Sequence, residues 1–186
     1  RHAALDQLRA KGLVYPCTCS RKDILELASA PHGDLGAIYP GTCRNGPKRS
    51  DRPAALRLRV EGEVAGFVDG VHGAMPPSAV DDFVLQRGDG VYAYQLVVVV
   101  DDLAMRITEV VRGDDLLSST PRQLALYRAV GQQAPAFYHV PLVLDPNRRR
   151  LSKREHAPSV AEFRAAGVSA ERVIGVLAHS LGLASA

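Results

Sequence analysis

The three cysteines of this chain, Cys17, Cys19 and Cys43, all fall in one stretch, "CTCSRKDILELASAPHGDLGAIYPGTCR", residues 17–44. Three thiols cannot pair as disulfides without a remainder. Nor do they complete a tetrahedral zinc site, which takes four N, S or O ligands. A metal would need one more side chain from the loop they bracket, and it would tie a Gly- and Pro-containing segment at both ends. The C-x-C spacing puts two thiolates at one turn, and Cys43 has to return from the loop. Two loop residues can supply the fourth ligand, His32 and Tyr39. Imidazole is the commoner zinc ligand and favours His32. A metal that lowers the cost of deprotonating phenol keeps Tyr39 open. The competing reading is three ordinary reduced cysteines.

Size and composition set the frame. The 186 residues, 20.0 kDa, suit one good core or one domain with a smaller insertion. At 46% hydrophobic and 23% charged, the composition is that of an ordinary globular protein. The longest apolar run, "LVVVV" at 96–100, is far short of the about 20 residues that cross a bilayer. The first residues, "RHAALDQLRAKG", are a polar helix pattern and not a secretory signal, so a cytoplasmic location with reduced cysteines is expected. The start inside a helical pattern, without Met, and the end in small residues suggest a piece of a longer protein. The net charge is only +3, but "KRSDRPAALRLR" (48–59) and "RRRLSKR" (148–154) are locally basic. Each stretch is either a solvated face or a surface for a polyanion.

The periodicity is mixed. Residues 2–11 suit a short helix stopped at Gly12, and "DILELASA" (23–30) another turn or two. "ALRLRV" (55–60) alternates as a half-buried strand, with further strands in "VAGFVD" and "DFVLQR". "VYAYQLVVVV" (91–100) is Val-rich without alternation, which suggests a strand covered on both faces. "STPRQLALYRAVG" (119–131) is a helix, with Thr120 and Gln123 as a capping box, Pro121 in the first turn and Gly131 as the stop. "YHVPLVLD" (138–145) reads as a buried strand. Ser159 and Glu162 form a capping box for "SVAEFRAAG", and "SAERVIGVLAHSLG" (169–182) is an amphipathic helix. The whole implies an α/β layer domain interrupted by an insertion.

Two stretches carry further chemistry. In "RRRLSKREHA" (148–157), Ser152 and Lys153 can grip phosphates, Lys as a point charge and Ser as a donor. The alternatives are a solvated basic turn or a basic-directed phosphorylation site at Ser152. In "VVRGDDLLSSTPRQ" (110–123), Arg112 ends a short apolar strand ahead of a helix, at the edge where open α/β sheets bind ligands. It can take a carboxylate in bidentate fashion, while Asp114 and Asp115 can pair with it or cap the helix.

Together "YPCTCSR", "YPGTCR", "VYAYQLVVVVDD", "ITEVVRGDDLLSSTPRQLALY" and "YHVPLVLDPNRRRLSK" resemble the glutamyl-tRNA synthetase group of class I aminoacyl-tRNA synthetases, in order and spacing and over nearly the whole chain. The C-x-C…Y-x-x-x-C pattern is similar to the truncated glutamyl-Q branch. The resemblance implies an α/β fold: the second half of a class I Rossmann domain with an inserted zinc-bearing, β-containing subdomain and C-terminal helices. It places a Rossmann helix in 1–16, the insertion in 17–88, the second Rossmann half in 89–145, and a KMSKS-like loop with C-terminal helices in 146–186. The first Rossmann half, with its HIGH-type motif, is expected to lie outside this chain, so the chain alone is expected to be inactive; "HGDLG" (32–36) is only a look-alike. It implies a ligase that activates L-glutamate with ATP and magnesium and transfers it to queuosine in the anticodon of tRNA(Asp). It implies a structural zinc on Cys17, Cys19, Tyr39 and Cys43, glutamate on Tyr94 and Arg112, and ATP on Ser152 and Lys153, with Lys153 as the catalytic lysine of "RLSKR". A monomer is expected. A fragment of an ordinary glutamyl-tRNA synthetase and a non-catalytic zinc-bearing RNA-binding module are the rival readings.

Overall fold

The structure is a computed structural model that describes residues 1–27, 38–145, 147–148, 151 and 159–185. It forms two compact units, residues 1–140 and 141–186. Among the described residues no helix is long and apolar enough to cross a membrane.

The first unit opens with helix α1, His2–Ala10, which buries Leu5 and Leu8, three residues apart on one face. Gly12, at φ +71°, turns the chain into strand β1, Val14–Cys17. Helix α2, Arg21–Leu27, follows; the rest of the expected turn at 23–30, and His32, lie outside the described residues. Strands β2, Ala55–Leu58, and β5, Val84–Gln86, complete a three-stranded antiparallel sheet in the order β1-β2-β5. Cys17 stands opposite Ala55 in this sheet.

The second sheet has the order β4-β3-β7-β6. Strands β3, Phe67–Asp69, and β4, Gly73–Met75, form a hairpin. Strands β6, Glu109–Gly113, and β7, Ala136–Val140, run parallel to each other, and β7 runs parallel to β3. The register sets Arg112 beside His139, and Asp69 beside Phe137. Asp69, Arg112 and His139, far apart along the chain, thus end on neighbouring strands.

The Val-rich run is not a strand. Tyr94–Met105 is helix α3, and Tyr94 lies in its first turn. Leu96 and Val99 are fully buried, with Val100 and Leu103 packed against the core. That spacing of i, i+3, i+4 and i+7 is a helical stripe, visible once the window extends through "DDLAM". The few tenths of a kcal/mol per Val that helix propensity costs are small beside this burial.

Helix α4, Thr120–Val130, forms as expected and ends at Gly131, φ +76°. The capping box is absent. A 3-10 helix, Asp114–Ser119, runs straight into α4, so Ser119 at the N-cap is already helical and no side chain caps. Thr120 is buried and spends its hydroxyl elsewhere. Helix α4 packs against α1 and α3 over a core that includes Leu58, Leu85, Leu126 and Phe137.

In the second unit, Ser159 and Glu162 make the expected capping box of helix α5, Val160–Ala165. Ser169 caps α6, Ala170–Ser180. The strand expected over 138–145 is shorter and belongs to the first unit, as β7.

Candidate active site and metal centre

The three cysteine sulfurs lie within 4.8 Å of one another, and all are free thiols. Cys19 Sγ is 3.6 Å from Cys43 Sγ. Zn–S bonds of about 2.3 Å at tetrahedral angles separate sulfurs by roughly 3.8 Å, so the cluster has the span of one ion. Tyr39 closes it. Its hydroxyl is 3.4 Å from Cys17 Sγ and accepts the Cys43 backbone N–H at 2.8 Å. With Tyr15, these residues form a small core of their own, separate from the main one. The Arg57 guanidinium stacks on the Tyr39 ring at 3.8 Å.

The thiols are not equivalent. Burial, then Cys43 and Cys17, push Cys19 up to about 12. Burial also works against the Cys43 thiolate, but backbone N–H groups of Thr18 and Lys48, with Tyr39 and Cys19, outweigh it and lower Cys43 to about 6. Burial and Cys17 raise the Tyr39 phenol well above its ordinary value. The backbone N–H groups thus favour the thiolate at Cys43, while burial disfavours it at Cys19.

Two adjacent acids that the sequence reading passed over bind residues that flank the thiols. Buried Asp82 accepts from Tyr15, two residues before Cys17, at 2.5 Å, and from Arg44, directly after Cys43, at 2.6 Å through both Nε and Nη2. It also accepts the Val60 N–H at 2.9 Å. Burial raises its carboxyl, yet Arg44, Tyr15 and Val60 hold it below the usual carboxylate range. Asp81 accepts the Tyr39 N–H at 3.0 Å and pairs with Arg122 of α4 at 2.5 Å. The only sequence signal was the acidic pair itself, ahead of β5.

The basic stretch 48–59 is largely engaged. Arg57 is buried and donates to the Asp82 carbonyl at 2.8 Å. Arg49 pairs with Asp51 and Asp23, and Arg52 with Asp23. Lys48 and Arg49 remain exposed. Ser152, Lys153 and most of the second basic stretch lie outside the described residues.

Arg112 sits near the C-terminal end of β6, as the sequence placed it. Nε donates to His139 Nε2 at 2.9 Å, and Nη2 donates to Thr120 Oγ1 at 2.9 Å and to the Leu116 carbonyl at 3.5 Å. The guanidinium lies 5.1 Å from the centre of the Phe137 ring. Burial lowers its pKa, opposed by nearby Tyr94 and Asp102. Tyr94, in the first turn of α3, is near enough to Arg112 of β6 to favour its charged form. Asp114 pairs with His72 at 2.8 Å. Beneath Arg112, His139 Nδ1 is 2.6 Å from Asp69 Oδ2. Gly70 lets the chain leave Asp69 under the Tyr138 ring, where any Cβ would overlap. Asp69 and His139 escaped the sequence reading, because their partners are made by strand register and not by spacing, and Thr120 was read only as a helix cap.

A half-buried arginine at the carboxyl edge of parallel strands and a cluster of three thiols narrow the class, and similarity to known proteins defines it. The family model for tRNA synthetases class I (E and Q), catalytic domain, matches residues 2–182, and the chain belongs to this family. Among curated relatives, the glutamyl-Q tRNA(Asp) synthetase of Nitratidesulfovibrio vulgaris is 52% identical, over 96% of this chain and 59% of its own length. The one from Nocardia farcinica is 51% identical, over 97% of this chain and 60% of its own. The chain thus spans about three-fifths of the length of these relatives. The fold matches the crystal structure of a glutamate tRNA ligase from Elizabethkingia meningosepticum in complex with its amino acid, with a TM-score of 0.65 and 24% identity over 82% of this chain and 34% of that one. Glutamate-tRNA synthetase from Elizabethkingia anophelis matches with a TM-score of 0.66 and 24% identity, over 83% of this chain and 35% of that one. The expected α/β class I synthetase fold is observed.

Proposed function

We propose that the full-length protein is a ligase that activates L-glutamate with ATP and transfers the glutamyl group to queuosine in the anticodon of tRNA(Asp). The observation that carries the reading is Arg112, held by His139 and Thr120 beside Tyr94 at the carboxyl edge of the parallel strands. Relatives at 51–52% identity named glutamyl-Q tRNA(Asp) synthetase supply the substrates. A planar guanidinium fixed by its own hydrogen bonds meets a carboxylate in one orientation, and Tyr94 borders the same space. A carboxylate oxygen of the glutamate attacks the α-phosphorus of ATP. The new O–P bond forms as the bond to the bridging oxygen breaks, and pyrophosphate leaves. This chemistry asks for positioning and charge stabilisation more than for acid–base groups. In the matching motif, Ser152 and Lys153 contact the phosphates, and Lys153 offsets charge that develops there. Magnesium bound with ATP neutralises part of the phosphate charge.

Cys17, Cys19, Cys43 and Tyr39 hold a structural zinc in this reading, with Tyr39 in place of His32 as the fourth ligand. The spacing of the sulfurs and the approach of the hydroxyl support this. All four positions are filled from the chain, which suits a structural metal and not a catalytic one.

Radiolabelled glutamate tests the reading. The full-length protein is supplied with ATP and tRNA(Asp), with and without queuosine, and with tRNA(Glu), followed by nuclease digestion. Label confined to the anticodon-loop fragment of queuosine-containing tRNA(Asp) is expected. Label on the terminal nucleoside of tRNA(Glu) would place the protein with ordinary glutamyl-tRNA synthetases. Absence of ATP–pyrophosphate exchange in the presence of glutamate would leave only a non-catalytic role.

A further inference from the structure

We propose that Asp69 and His139 are positioning residues that hold Arg112 in its ligand-binding pose by fixing which ring nitrogen of His139 carries the proton. The proposal deepens, and rests on, the reading of Arg112 as the residue that receives the glutamate.

The direction of each hydrogen bond follows from chemistry. Arginine has only donors, so His139 Nε2, 2.9 Å from Arg112 Nε, must accept and carries no hydrogen. The ring proton is then on Nδ1 and is donated to Asp69 Oδ2 at 2.6 Å. Asp69 is held from the other side. Its Oδ1 accepts the backbone N–H groups of Val71 and His72, each at 3.0 Å, and of His139 at 3.3 Å. Burial raises the Asp69 carboxyl, but His139 and these N–H groups prevail and keep it well below the ordinary carboxylate range. His139 is wholly buried and Asp69 nearly so, which denies water a place from which to reorient the ring. Phe137 stacks on the imidazole with centroids 6.1 Å apart.

Thr120 makes the arrangement sensitive to a proton's position. Its Oγ1 accepts from Arg112 Nη2 at 2.9 Å and lies 3.2 Å from His139 Nε2. In the other tautomer, Nε2–H would face the Arg112 Nε–H donor to donor and would take Thr120 Oγ1 as its acceptor. Arg112 would lose the acceptor of its Nε–H through one proton shift, and would share Thr120 Oγ1 with the imidazole. With the Nδ1–H tautomer in place, Nε and Nη2 are committed, and the plane in which the remaining donors meet a carboxylate is fixed.

Asp69→Asn tests this at constant shape. The amide N–H of asparagine facing Nδ1 favours the wrong tautomer. In glutamate-dependent ATP–pyrophosphate exchange by the full-length protein, the glutamate KM is expected to rise roughly 10- to 100-fold, the scale of a lost hydrogen bond to a charged group. The KM for ATP should not move. Long-range proton–nitrogen NMR should find the His139 proton on Nδ1 in the wild type and on Nε2 in Asp69→Asn. His139→Gln, whose amide oxygen can still accept from Arg112, should keep glutamate KM close to wild type, whereas His139→Ala should not. Added to Asp69→Asn, His139→Gln should recover part of the loss; a merely structural pair would show losses that accumulate. Asp69→Asn with tautomer and glutamate KM both unchanged overturns the proposal, as does His139→Gln behaving like His139→Ala. Should Asp69→Asn not fold, the two His139 variants decide alone. Should the wild type show no glutamate-dependent exchange, the functional reading fails, and the NMR comparison still decides the tautomer lock.

Discussion

Tyr39→Phe removes one oxygen and leaves the ring under Arg57, so its effect can be worked from few contacts. The hydroxyl accepts the backbone N–H of Cys43, a residue with no exposed surface. Without metal, the variant orphans that N–H, at a cost of about 1–3 kcal/mol. With zinc it also loses the fourth ligand, which water must replace. A tenfold weaker affinity alone is about 1.4 kcal/mol, and it appears as reduced zinc-dependent stabilisation. The gap between wild type and Tyr39→Phe should therefore be wider with zinc than after chelation. Urea unfolding in both conditions measures the two gaps, and competition with a chromophoric chelator measures affinity directly. His32→Ala is expected to retain one zinc per chain with wild-type affinity. Equal gaps with and without zinc, together with zinc loss in His32→Ala, would refute the assignment of Tyr39.

Arg112→Ala in the full-length protein should raise the glutamate KM by at least roughly tenfold in exchange kinetics, and Lys153→Ala should lower kcat of adenylate formation by at least about one order of magnitude. Wild-type kinetics in either variant would remove that residue from the site. The depressed carboxyl of Asp82 contributes stability that is present above the ordinary carboxylate pKa and is lost as pH falls through its lowered value. Asp82→Asn should thus be destabilised at neutral pH, with the deficit narrowing below about pH 4 in urea titrations; a constant deficit would count against the charged hub. Gly70→Ala should cost about 1–3 kcal/mol by thermal unfolding, because the added methyl meets the Tyr138 ring.

Local chemistry was legible in the residues themselves. The arginine at a strand end, the stop at Gly131 and the capping box of Ser159 and Glu162 depend on short spacings, and each stands where the sequence put it; the thiol cluster was legible from the residue type, although Cys43 comes from further along the chain. The Val-rich run was misread because four consecutive valines suit a buried strand and a buried helix equally. Only burial of Leu96 and Val99 on one helical face decides between them. The Thr120 box failed because a preceding 3-10 helix removed the geometry that a cap needs.

What tertiary structure alone decided is how the functional side chains are held. Asp69, Arg112 and His139 are joined by the parallel register of three strands, and Tyr15, Arg44 and Asp82 by the way the chain folds beside its cysteines. Such partners are chosen by direction and distance among buried donors and acceptors, whose pairing is obligatory once water is excluded. A sequence states which donors and acceptors a chain owns; burial and register determine which of them meet.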